Sequence, residues 1–208
     1  MSKQEGLVRN ESRAARFDLE SMARAIREFL EAAGVDLENP HLEGTPQRVA
    51  KAWSEDLLDG LETDPTLARG NTFAVEETSA EETSEIALAK DIPFHGLCPH
   101  HLLPFQGVAH IGYIPKRRIA PFSGLARLLD CFSHRLEVQE TITRQVAEGL
   151  VDYLDAKGAA AVLESEQTCM TVRGVKRRGT RIVTTHFSGV FGSRADLRRD
   201  FLRLVEKT

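Results

Sequence analysis

Phe105-Gln-Gly-Val-Ala-His-Ile-Gly-Tyr-Ile114 is the stretch on which the fold turns. Ala109, Ile111 and Tyr113 alternate onto one face, the two-residue period of a half-buried strand. Pro115 ends the run, because proline cannot donate to a ladder. Upstream, residues 86–94 read as a partner strand. Downstream, the period changes to that of helices, first over about 122–134 and then over about 137–156. In the second, Val138, Ile142, Val146, Leu150, Tyr153 and Leu154 line one face. Gly158 separates this helix from a strand at about 159–172. Residues 175–179 make a basic turn. Residues 180–191 form the next strand, with Val183, Phe187 and Phe191 on one face. Ser193 and Asp196 have the spacing of a capping box and open a last helix carrying Leu197, Phe201, Leu204 and Val205. Strand–strand–helix–helix–strand–strand, followed by a helix, predicts an α+β protein with a mostly antiparallel sheet.

The N-terminal part has a different texture. Residues 1–17 are charged and aperiodic, and read as a flexible tail. From Asp18, Leu19, Met22, Ala23, Ile26, Phe29 and Leu30 fall on one helical face, and Gly34 stops the pattern. Thr45 and Pro46 read as a second helix start, with Thr45 as N-cap and Pro46 first inside. Val49, Trp53, Leu57 and Leu58 form the apolar stripe that follows. The expected organisation is thus a tail (1–17), a helical segment (18–62) and the sheet-containing domain (63–208), with a short strand near residues 72–75.

Composition narrows the function. The 208 residues carry 27 Lys+Arg against 31 Asp+Glu, a formal net charge of −4. A mildly acidic chain argues against broad nucleic-acid binding. No apolar run approaches the roughly 20 residues that a membrane span needs, and the polar first residues do not read as a secretory signal. Three cysteines in such a chain point to reduced thiols and a cytoplasmic protein rather than a disulfide scaffold.

Two of those cysteines have candidate chemistry. In Gly96-Leu-Cys98-Pro-His100-His101-Leu-Leu-Pro104, Cys98 and His101 stand three residues apart. In a helical turn they would share a side and His100 would point elsewhere, free to act as acid or base. Cys98, His101 and the distant Cys169 would give a zinc ion three protein ligands and leave one position open, as in catalytic sites. Cys131 lies within an amphipathic helix and reads as packing. His110, His134 and His186 read as structural. Arg173, Lys176, Arg177, Arg178 and Arg181 follow Cys169 with no acid among them, which suits an anionic small substrate such as a nucleotide phosphate. Gln139 and Glu140 open the long helix, where a carboxylate either serves the helix dipole or accepts from the N–H edge of a base.

In order along the chain, Gly44-Thr45-Pro46-Gln-Arg48-Val49-Ala50, Cys98-Pro-His100-His101, Gly107-Val-Ala-His-Ile-Gly-Tyr113-Ile-Pro115, Ala126-Arg127-Leu-Leu-Asp130, Arg135-Leu-Glu-Val-Gln139-Glu140 and Cys169-Met-Thr-Val-Arg173-Gly174-Val175 resemble GTP cyclohydrolase I. The resemblance implies the T-fold, five units closing a ring and two rings stacking as a decamer. It implies Zn²⁺ on Cys98, His101 and Cys169, activating the water that attacks C8 of guanine, with His100 as a proton-transfer group. Formate leaves, and the rearranged ribose closes into 7,8-dihydroneopterin triphosphate. Glu140 with Gln139 would hold the guanine edge, Arg127 and Arg173 the triphosphate, and Ser123 would serve the sugar rearrangement.

The chain departs from the family pattern at three places. Gly124 stands where the family has a lysine on the triphosphate, and Lys176, Arg177 or Arg178 could replace it. Gln167 stands where the family has an acid–base histidine, and glutamine exchanges no proton near neutral pH. Pro99 replaces a glutamate. These departures keep two alternatives open: a family hydrolase that stops at a ring-opened product or uses another purine nucleotide, and a non-catalytic nucleotide-binding paralogue.

Overall fold

The computed structural model describes residues 17–66, 73–74 and 85–206. Most of the tail, residues 1–16, lies outside the described residues. The architecture is α+β, consistent with the T-fold. Helix α1 (Leu19–Ala32) begins on Asp18, whose carboxylate accepts from the Ser21 N–H. Helix α2 (Thr45–Ala52) follows. Strand β1 (Phe73–Ala74) pairs with β4 (Arg118–Ile119). The main sheet is built from β2 (Ala87–Leu97), β3 (Pro104–Ile114), β5 (Gly158–Gln167) and β6 (Arg181–Gly189), antiparallel throughout, in the order β2-β3-β5-β6. Between β4 and β5 come α3 (Phe122–Ser133) and α4 (Gln139–Leu154). After β5 comes the one-turn helix α5 (Thr168–Thr171). After β6 come α6 (Val190–Ser193) and α7 (Ala195–Glu206).

Side-chain alternation sends the sheet into two cores. Ala109, Ile111 and Tyr113 of β3, with Ala159, Ala161 and Leu163 of β5, pack against Leu125, Leu128 and Leu129 of α3 and Ile142, Val146 and Leu150 of α4. The opposite face sends Ile114, Ala160 and Val162 to Phe191, Leu197 and Phe201. Three consecutive alanines of β5, Ala159, Ala160 and Ala161, put small side chains on both faces and let helices approach each of them. The Tyr113 hydroxyl accepts from the Ala120 N–H at 2.8 Å, tying the end of β3 to the entry of α3. Burial pushes its phenol above the usual tyrosine range.

Gly107 of β3 stands opposite Ser165 of β5. A Cβ there would lie 1.9 Å from the Glu164 carbonyl oxygen and 2.6 Å from the Ser165 Cα. Backbone cannot yield as a flexible side chain can. Gly107→Ala is therefore expected to cost at least about 1–3 kcal/mol, the usual penalty of overpacking, read as a lower melting temperature.

Several local expectations are corrected. Gly44, with φ +67°, is the residue preceding α2, and Thr45 is already helical; the threonine hydroxyl instead accepts from Arg48. The strand expected over 159–172 stops at Gln167, so Cys169 sits on a helical turn. The capping box does not form: the Ser193 hydroxyl donates to the Val190 carbonyl, and Asp196 pairs with Arg194. Along α1 only Ala23 is buried, while Leu19 and Phe29 are exposed in the single chain. Val183 is likewise exposed.

Candidate active site

The β2–β3 connection is a tight loop at one end of the sheet. The Cys98 N–H donates to the Leu103 carbonyl and the Leu102 N–H to the Cys98 carbonyl, both at 2.9 Å. Leu102 takes a positive φ to close it. The register sets Phe105 opposite Gln167, so the end of β5 arrives beside this loop. The Thr168 hydroxyl then donates to the Pro104 carbonyl. That anchor brings Cys169, one residue later, against Cys98 and His101. The ligand atoms of Cys98, His101 and Cys169 all lie within 4.8 Å of one another.

Two thiols and an imidazole that converge in this way from segments so far apart could hold a metal ion. Cys98 is buried, Cys169 half-buried and His101 exposed, so the cluster opens to solvent on one side. Burial and the neighbouring Cys98 raise the Cys169 thiol above its usual range, while Arg173 acts in the opposite sense. His100 does not turn away as a helical turn would have required. Its Nδ1 lies 3.7 Å from the Cys98 Sγ, against 3.9 Å for the Nδ1 of His101. The loop is a turn rather than a helix, and both rings face the sulfur.

Basic groups follow Cys169 directly. The Arg173 guanidinium contacts the His101 Nε2. Lys176, at φ +51°, donates its N–H to the Arg173 carbonyl, and the Arg177 N–H reaches the Met170 carbonyl. Residues 173–178 are all exposed. Glu140 is exposed in the first turn of α4. Ser123 and Arg127 are also exposed, on α3. Among the described residues of the single chain, neither makes a hydrogen bond or ion pair with the Cys–His–Cys cluster.

Gln139 is placed differently from Glu140. It is 3% exposed. Its Nε2 faces the Leu163 and Ile182 carbonyls, each at 3.0 Å, and the Thr184 hydroxyl at 3.1 Å. Its Oε1 accepts from the Ser165 hydroxyl at 2.6 Å and the Gln167 Nε2 at 3.1 Å. The carboxamide is thus spent inside the protein. Ser165 and Thr184 were not singled out in the sequence. Ser165 could have been, as the polar break in the inward series Ala159, Ala161, Leu163 of β5.

The other cysteine and histidines have partners of their own. Cys131 is buried, with its Sγ 3.3 Å from both the Thr63 carbonyl and an Arg135 Nη. His134 meets Asp59 at 2.7 Å and stacks on His95, and the His110 Nδ1 accepts from the Asp91 N–H.

Comparison with known proteins gives a consistent picture. The model of the family described as GTP cyclohydrolase I matches residues 22–206. A Chromobacterium violaceum protein named GTP cyclohydrolase 1 is 39% identical over 191 residues, covering 92% of this chain and 90% of the relative. Proteins of the same name from Corynebacterium glutamicum and Geobacillus kaustophilus are each 41% identical. The first match covers 94% of this chain and 97% of the relative, the second 88% and 94%. No helix among the described residues is long and apolar enough to cross a membrane.

Proposed function

The chain belongs to the GTP cyclohydrolase I family, and from that premise we propose that it converts GTP to formate and 7,8-dihydroneopterin triphosphate. The observation that carries the proposal is the convergence of Cys98, His101 and Cys169 within 4.8 Å. Their chemistry fits zinc, which these two thiolates and the imidazole would hold with a fourth position open. When bound, the ion supplies Lewis acidity and a water of lowered pKa.

The chain's own groups do the rest. His100, exposed beside Cys98, exchanges protons with the purine as its imidazole ring opens. Glu140 accepts from the N–H edge of guanine, and Gln139 behind it fixes the start of α4 to β5 and β6. Arg127, Arg173 and Lys176 hold the triphosphate, for which guanidinium forks and ammonium charges are suited. Lys176 supplies the cation that Gly124 cannot. Ser123 serves the ribose rearrangement. Gln167 makes hydrogen bonds in the site but does not titrate.

Assembly completes this reading. Phe122 and Val172 are 69% and 64% exposed, directly beside Ser123 and Arg173. Large apolar side chains flanking polar site residues suit a subunit interface. A second copy would then bring Ser123 and Arg127 to a neighbour's Cys–His–Cys cluster, in a decamer of two pentameric rings that works in the cytoplasm.

The test follows formate release and pterin fluorescence separately, with zinc-loaded protein and GTP. Both signals are expected. Formate or a ring-opened product without pterin would favour the arrested reaction that Gln167, in place of a titrating group, makes the leading alternative. Nucleotide binding with neither signal would mark a binding protein.

A further inference from the structure

The polar cluster beneath the start of α4 determines how one wall of the site is presented. Gln139 is the fixed point. Its Nε2 lies against two backbone carbonyls, of Leu163 and Ile182. A carbonyl only accepts, so that end of the carboxamide must be the NH₂ end. The Oε1 must therefore face Ser165 and Gln167, and both must donate to it. Ser165 has one hydroxyl hydrogen, which it gives to Gln139. Its lone pairs then accept from the Gln167 Nε2 at 2.9 Å. Both requirements turn the NH₂ of Gln167 inward and leave its carbonyl oxygen facing the other way. Among the described residues that oxygen has no donor.

Gln167 is the last residue of β5, half-buried, two positions before Cys169. Ser165 is 2% exposed. We propose that Ser165 is a positioning residue for the reaction. With Gln139 it locks the Gln167 carboxamide so that a single acceptor, which cannot titrate, faces the purine. This proposal rests on the reading of the site as one that processes GTP. The ligand group it implies is an N–H or O–H donor on the reacting base.

The test is a double-mutant cycle on kcat/KM for GTP with the zinc-loaded full chain. Ser165→Ala frees the Gln167 side chain to rotate. It is expected to lower kcat/KM about tenfold, the scale of one misplaced neutral hydrogen bond, with zinc content unchanged. Gln167→Met keeps length and removes the acceptor, and should lose a similar factor. In the Gln167→Met background, Ser165→Ala should then cost little more. Losses that multiply, or a lower melting temperature with kcat/KM unchanged, would overturn the proposal. Gln167→Glu gives an independent reading if Ser165→Ala does not fold. A carboxylate would oppose the fixed Gln139 Oε1, so this variant should be worse than Gln167→Met, and an equal or better one would overturn the lock. Wild-type protein that releases no formate would fail the functional reading itself, and the proposal with it. Active wild-type protein with multiplying losses would fail the proposal alone.

Discussion

Cys169→Ser is expected to strip the protein of zinc and, with it, of turnover. Serine is nearly the same size but keeps its proton at neutral pH, so a metal site of two thiolates and one imidazole falls to two ligands. The loss in affinity should exceed the about 10–100-fold that losing a group behind a ligand typically costs. The fold should survive. Cys169 is half-buried, on a one-turn helix at the end of the sheet, and the Thr168 anchor to Pro104 remains. Metal analysis after dialysis, beside a melting curve of the metal-free protein, separates the two effects. Cys131→Ser is the control. That cysteine is 1% exposed and engaged with Thr63 and Arg135, so its loss should lower stability and leave zinc in place. A Cys169→Ser protein that retained full zinc would sink the ligand set.

Cys169 was legible in the sequence as a candidate ligand, but the element that carries it was not. Its candidacy beside Cys98 and His101 follows from residue chemistry, and the succession of strands and helices that makes a mostly antiparallel sheet follows from periodicity. Together these put both segments at one end of the sheet. The helical turn that carries Cys169 has no such signature. It depends on the Thr168 contact with Pro104, a tertiary hydrogen bond between residues 64 positions apart. The same holds at Gln139. As a sequence it is a polar residue beside Glu140 in a helix's first turn, equally able to face solvent or sheet. Only the paired strands, which offer the Leu163 and Ile182 carbonyls, decide for the sheet. Local errors have a similar cause. Thr45 and Ser193 both have capping chemistry, yet Gly44 supplies the left-handed turn before α2, and the Ser193 hydroxyl closes α6 instead. The apolar stripe of α1 was legible as a pattern. Its burial was not, because Phe29 and Leu19 have no covering surface among the described residues.

The two adjacent histidines allow the sharpest separation of roles. Both Nδ1 atoms face the Cys98 sulfur, at 3.7 Å for His100 and 3.9 Å for His101, so distance to one thiol does not distinguish ligand from acid–base group. Convergence does, because it is His101 that stands with both cysteines in a group whose ligand atoms lie within 4.8 Å of one another. Asparagine preserves polarity and some hydrogen bonding while removing the titrating ring. His101→Asn should therefore lose zinc, as Cys169→Ser does. His100→Asn should keep zinc and GTP binding while kcat falls about 10²–10⁴-fold, the usual contribution of a general acid–base group. Loss confined to kcat would mean that the interaction is made only in the transition state. Added imidazole should restore part of the His100→Asn rate, since a small base can enter the space vacated at this exposed position. If His100→Asn lost zinc as readily as His101→Asn, His100 would be a ligand, and the acid–base role would have to pass to another group. Gln167 could not take it, because a carboxamide does not ionise near neutral pH.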